Sequence, residues 1–212
     1  MNTEAKSAPP KRWRRRKHKR PGEIVHAALV CFGEKGFAAT KIDDVAEMAG
    51  VTKGTVYLYF ESKEHLFKEV ISVELVPLLA SLEKTLSEAK LGEAESLRLL
   101  LKTWAEIFPN SALSPLPKLI VSEIANFPDL ADFYVREVVG RGLGLITGIL
   151  TRGIEKGEFR RVDVTSAVFC VIAPALVAML WKHSLAPFSD RRMDVGDIID
   201  THSELLLRGL AA

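Results

Sequence analysis

Thr40-Lys41-Ile42-Asp43-Asp44-Val45-Ala46-Glu47-Met48-Ala49-Gly50-Val51-Thr52-Lys53-Gly54-Thr55-Val56-Tyr57-Leu58-Tyr59-Phe60 reads as two short helices joined by a tight turn. Ile42, Val45, Ala46 and Ala49 recur at i, i+3, i+4 and i+7, one apolar stripe of a helix. Thr40 is the expected N-cap, with Asp43 three residues on as a capping-box carboxylate near the positive helix end. Gly50 accepts the left-handed conformation that stops a helix, and Thr52 is placed to cap the next one. That second helix carries Lys53, Thr55, Tyr57 and Tyr59 as donors and aromatics, while Val56 and Phe60 point inward at i and i+4. The pattern predicts a helix-turn-helix that presents its second helix to a major groove.

Upstream, Ile24, Ala28, Cys31 and Phe32 mark a helix face from about 22 to 35, opened by Pro21 and closed by Gly36. With helices at about 41 to 49 and 53 to 59 this makes a three-helix unit of DNA-binding size, spanning 21–65. Residues 1–20 hold nine lysines and arginines against Glu4, a local charge of +8 on a chain whose net charge is +2, so the remainder is acidic at −6. Like-charge repulsion predicts a disordered basic arm, and its place beside the helix-turn-helix suits phosphate contact or minor-groove entry. No apolar run follows the basic residues, so no secretory signal is expected.

Downstream, Ser62 caps a helix whose apolar face runs through Leu66, Phe67, Val70, Ile71 and Leu75 toward Lys90, with Pro77 expected to kink it or free a carbonyl. Leu97, Leu100, Leu101, Trp104 and Phe108 mark the next helix. Further helices are expected from about 115 to 126, from Pro128 to Lys156, after Asp163, and along Val195, Ile198, Ile199, His202, Leu205 and Leu206. No period-2 alternation appears, so the fold class is all-α, about nine helices, with residues 66–212 as a second helical domain. Gly140, Gly144 and Gly148 recur every four residues, a strip for close helix approach or a hinge. Gly140-Arg141-Gly142-Leu143-Gly144 only imitates a dinucleotide fingerprint, since no strand precedes it.

Composition is that of an ordinary globular protein, 48% apolar and 26% charged. Cys31 and Cys170 each lie in an apolar helical pattern, which fits a reduced cytoplasmic setting without disulfides. His18, His26, His65, His183 and His202 show no metal-ligand spacing, and no nucleophile sits in a recognisable setting. No enzyme, cofactor or metal is expected.

Residues Gly22 to Val70 resemble the tetracycline-repressor (TetR) family of bacterial regulators. The resemblance rests on Phe32-Gly33-Glu34-Lys35-Gly36-Phe37-Ala38-Ala39-Thr40, Ile42-Asp43-Asp44-Val45-Ala46, the run from Ala49 to Phe60, and Ser62-Lys63-Glu64-His65-Leu66-Phe67. It implies a homodimeric, ligand-responsive regulator, commonly a repressor, that binds a palindromic operator and is released by a small-molecule effector. It also implies base-edge and close-approach roles for Lys53, Gly54 and Thr55, and phosphate clamps at Thr40, Thr52, Tyr57, Tyr59 and Lys63. Many relatives carry His where this chain has Tyr59.

The same resemblance sets Trp104, Phe108, Glu123, Phe127, Tyr134 and Arg141 on helices that surround an effector cavity, with Glu123 and Arg141 as an alternative ion pair. It assigns the dimer bundle to Val164–Trp181 and Asp194–Leu210. Val164 to Trp181 is 18 residues without a charge. A membrane-tethered regulator is therefore one alternative, and an effector-independent general DNA-binding protein another.

Overall fold

This computed structural model describes the backbone from Lys11 to Ala212 and the side chains from Arg20 onward. Expectations for residues 1–10, and for side chains as far as Lys19, lie outside the described residues. Helix α1 spans Lys11–Lys35, starting well before the expected position near residue 22. Eight of the nine basic residues of that run therefore lie on a helix and not in a separate arm. Lysine and arginine are good helix formers, and Pro21 sits inside α1 where a first-turn place was expected.

Helices α2 (Ile42–Met48) and α3 (Lys53–Tyr59) form the helix-turn-helix. The cap of α2 differs from the expected one: the N-cap is Lys41, and Asp44, not Asp43, folds back to accept its backbone N–H at 2.8 Å. Thr40 is buried instead, donating its hydroxyl to the carbonyls of Cys31 at 3.0 Å and Gly36 at 2.6 Å. Gly50 takes φ +63° in the turn, and the Thr52 hydroxyl accepts the Thr55 N–H at 3.2 Å. Val56 and Phe60 are buried.

Helix α4 (Lys63–Val70) opens with the Ser62 hydroxyl accepting the His65 N–H at 3.0 Å. It passes through a π turn, Ile71–Leu75, into α5 (Val76–Glu88), where Pro77 falls in the first turn. The wider turn is how the helix accommodates a residue that cannot donate. Then follow α6 (Glu93–Ile107), α7 (Leu116–Glu123) with a 3-10 turn Ile124–Asn126, and α8 (Pro128–Tyr134). A second π turn, Val135–Val139, leads into α9 (Gly140–Glu155), and α10 (Val164–Ser184) and α11 (Val195–Leu210) complete the chain. With α4–α5 and α8–α9 each taken as one rod, the described residues form nine helices and no strand.

Two apolar clusters hold this array. The first joins α1 to α4 with Leu116, Leu119 and Leu130, so the expected boundary at 65/66 falls within one core. At its centre Phe32, Phe37 and Phe67 meet with ring centroids 5.3–5.6 Å apart. The second joins α6, α9, α10 and α11, and Trp104 packs against both.

A buried charge locks the far end. Glu93, with a side chain 4% exposed, receives Arg152 Nε and Nη2 at 2.9 and 3.0 Å and Lys156 Nζ at 2.8 Å. Glu158 in turn accepts the N–H groups of Glu93 and Ala94, capping α6. These links join α6 to the end of α9.

Helix α10 begins at Asp163, whose carboxylate accepts the N–H of Thr165 and Ser166. It buries Val168, Val171, Ala175, Ala178 and Met179 but leaves Phe169 59% and Val177 60% exposed. Cys170 is exposed on this helix, against the apolar interior setting expected for it. Nothing lies within 4 Å of a Cβ built on Gly144, so within this chain the glycine strip receives no helix.

Candidate nucleic-acid interface and its link to the body

Seven residues make α3, and their exposure sorts the expected contacts. Thr52, Lys53, Gly54 and Tyr57 face solvent, Thr55 and Tyr59 are half-buried, and Val56 fixes the helix to the core. Lys53 Nζ pairs with Asp43 at 2.8 Å, both side chains more than half exposed. A surface pair this exposed is only weakly held, so the ammonium is free to exchange it for a base edge or a phosphate. Thr52 and Thr55 share a hydroxyl contact at 2.9 Å. Nothing but the Thr52 hydroxyl, at 3.9 Å, lies near a Cβ built on Gly54. Within the described residues, then, no neighbour requires glycine at this position in the first turn of α3.

Two of the expected clamps are engaged elsewhere. Thr40 is 1% exposed with its hydroxyl on two carbonyls, so it cannot donate to a phosphate. Lys63 Nζ donates to the carbonyls of Phe37 at 2.7 Å, Ala38 at 3.1 Å and Thr40 at 3.1 Å, and lies 4.6 Å from the Phe37 ring centroid. Both residues brace the turn between α1 and α2. Leu58, to which the sequence reading gave no role, is 72% exposed on α3. An exposed leucine between two tyrosines fits a thymine methyl in the groove.

The same turn is gripped from the body. Glu123, at the end of α7, accepts the Ala38 N–H at 2.7 Å, and its carboxylate leaves no room for a Cβ on Gly36, which takes φ +84°. Phe127 meets Phe37 edge-on at 4.7 Å. Glu123 and Phe127 thus serve a contact between head and body, and Glu123 bonds the turn, not Arg141.

The remaining expected effector residues divide. Trp104 stacks on Phe108 at 5.5 Å where the two clusters meet. Tyr134 packs against the first cluster, and burial pushes its hydroxyl pKa up to about 12. Arg141 is exposed. None of the six lines either of two clefts in the body, one of about 270 Å3 between α6, α10 and the start of α11, one of about 680 Å3 between α6 and α11.

Residues 24–70 match the family described as bacterial regulatory proteins, tetR family. Over 153 residues the chain is 39% identical to the HTH-type transcriptional regulator YhgD of Bacillus subtilis (strain 168), covering 70% of this chain and 76% of that one. The chain belongs to the tetR family of bacterial regulatory proteins. As a tetR-family member it is a DNA-binding transcriptional regulator, with α2 and α3 inside the matched segment. It is also 24% identical over 200 residues to the fatty acid metabolism regulator protein of the same organism, covering 92% of this chain and 98% of the relative. The fold is shared with the transcriptional regulator FadR from Bacillus subtilis, solved in complex with stearoyl-CoA. That structure has TM-score 0.76 and 24% identity, covering 89% of this chain and 98% of that chain.

Proposed function

We propose that this tetR-family chain is a cytoplasmic, ligand-responsive repressor that holds a palindromic operator as a homodimer. Its head, residues 21–65, reads DNA through Lys53, Gly54, Thr55 and Leu58, with Thr52, Tyr57 and Tyr59 toward phosphates. Its body, residues 66–212, carries the partner and the effector. The single observation that carries this reading is the grip of Glu123 and Phe127 on the turn that also braces the head. A ligand that prefers another arrangement of α7 and α8 must re-aim α3, because head and body both hold Phe37 and Ala38.

The effector class proposed is a long acyl thioester, in keeping with the acyl-CoA complex of FadR and the apolar seam at Trp104 and Phe108. The exposed faces of α10 and α11, with Phe169, Val177 and Leu205, are assigned to the second subunit, which covers an apolar surface that water penalises. Operator selection from random DNA tests the reading. It is expected to return a palindrome whose half-sites lie about 34–36 Å apart or at a multiple of that repeat. Stearoyl-CoA is then expected to release the protein from that sequence. Equal affinity for selected and random DNA would establish an effector-independent general binder instead.

A further inference from the structure

Two aspartates lie in the first turn of α2, and the structure employs them differently. Asp44 accepts the Lys35 ammonium and the Lys41 N–H, each at 2.8 Å, and these bonds hold its carboxyl below the usual carboxylate range. Asp43 takes no part in that cap. Its Oδ2 accepts Lys53 Nζ at 2.8 Å, across the turn on α3, while its Oδ1 has no hydrogen-bond partner among the described residues. The side chain is 60% exposed.

That placement sets a carboxylate where DNA approaches. The first residues of a recognition helix are the ones that reach base edges, and Lys53 is the first residue of α3. A group 2.8 Å from its ammonium enters the groove with it. A negative charge there opposes contact with phosphates and lowers affinity for DNA in general. The positive end of α2 favours a carboxylate, but Asp44 already supplies one. A base edge that offers a donor to Asp43 is what offsets the repulsion.

We infer that Asp43 is a specificity-determining residue, and that Asp43 and Lys53 together read one G·C base pair. The inference rests on the reading that α3 enters the major groove with Lys53 on a base edge. An ammonium has three donors, and Lys53 spends one on Asp43, so two remain for guanine N7 and O6 without loss of the pair. The free Asp43 oxygen then accepts from cytosine N4–H, the donor that stands beside those two acceptors. In A·T the adenine N6 donor stands between two acceptors, so thymine O4 would face the carboxylate. The paired side chains therefore match the order of groups on G·C and clash with the order on A·T.

Selection from random duplex DNA with the full-length protein tests this. The wild type is expected to select a G·C pair in each half-site, at a position where Lys53→Met selects no base. Asp43→Ala is expected to lower affinity for the selected site about tenfold and, at the same salt concentration, to raise affinity for random DNA. N4-methylcytosine at that position puts a methyl group where the free N4–H stood, and so probes the contact without altering the protein. It is expected to weaken wild-type binding about tenfold and to leave binding by Asp43→Ala unaffected. Wild-type binding indifferent to the methyl group overturns the inference. An Asp43→Ala protein with an unchanged ratio of selected to random affinity also overturns it, and with a lowered melting temperature makes Asp43 a helix-end charge only. Selection of A·T at the position Lys53 governs overturns it as well. In all three cases the reading of α3 stands, whereas a Lys53→Met protein that selects the wild-type sequence removes both.

Discussion

Lys63 and Thr40 look like phosphate donors, and the structure gives both to backbone carbonyls. Residue type alone could not separate these roles, because the acceptors of Lys63 lie 23–26 residues upstream and exist only once α4 packs against the turn. Substitution distinguishes them. Lys63→Met is expected to destabilise the protein by about 2 kcal/mol, because it orphans three carbonyls in a half-buried turn. Thermal unfolding reads that loss, and the salt dependence of operator binding is expected to stay unchanged. A phosphate clamp would show the reverse, a slope reduced by about one charge. Lys53 differs: it lies at the start of α3 in an exposed pair with Asp43, where the sequence reading expected an accessible side chain.

Helices were legible where capping and periodicity agreed, as at Asp163, Ser62 and the Leu97-to-Phe108 face. What a long-range partner decides was not legible. The buried Glu93 has polar company only because α9 ends beside the start of α6, which no local pattern announces. Burial opposes its ionised form, but hydrogen bonds and charge from Arg152 and Lys156 outweigh that and hold its carboxyl below the usual carboxylate range. A carboxyl whose folded pKa is lowered contributes stability that is complete above its unfolded value. That stability is lost as pH falls through the lower folded value. Denaturant unfolding between neutral pH and pH about 3 is expected to show this loss in the wild type and a flatter profile in Glu93→Gln. At neutral pH the variant is expected to be about 2 kcal/mol less stable, less than for a fully buried pair because Arg152 and Lys156 are half exposed.

At the scale of the molecule, the helix-turn-helix was readable and the places of the six expected effector residues were not. A recognition helix is a contiguous stretch whose outward residues follow from its inward ones. An effector site is a volume between helices, and the six residues expected there scattered into core, seam, surface and latch. The latch is testable by itself. Glu123→Ala removes the acceptor of the Ala38 N–H, a bond to a charged group at the protein surface contributing about 1 kcal/mol. It is expected to leave the fold intact and to reduce the ratio of operator affinities measured without and with stearoyl-CoA. An unchanged ratio would place the coupling elsewhere.

The proposed subunit pairing rests on a physical argument. A helix with mean hydropathy 2.2 over a membrane-length window demands cover on all sides, yet only 28% of that window is buried in one chain. In the proposed dimer a partner's α10 and α11 supply this cover, and Val177, 60% exposed on α10, is the place to interrupt it. A glutamate at that position would bury an unpaired charge in the dimer and meet only water in the monomer. Val177→Glu is therefore expected to sediment as a folded monomer with unchanged helical content. Each half-site then binds its head alone, and affinity for the full palindrome is expected to fall on the order of a hundredfold or more, the effective concentration lost with the partner. A variant that stays dimeric would move the interface off α10, and one that requires detergent to remain in solution would favour the bilayer as its cover.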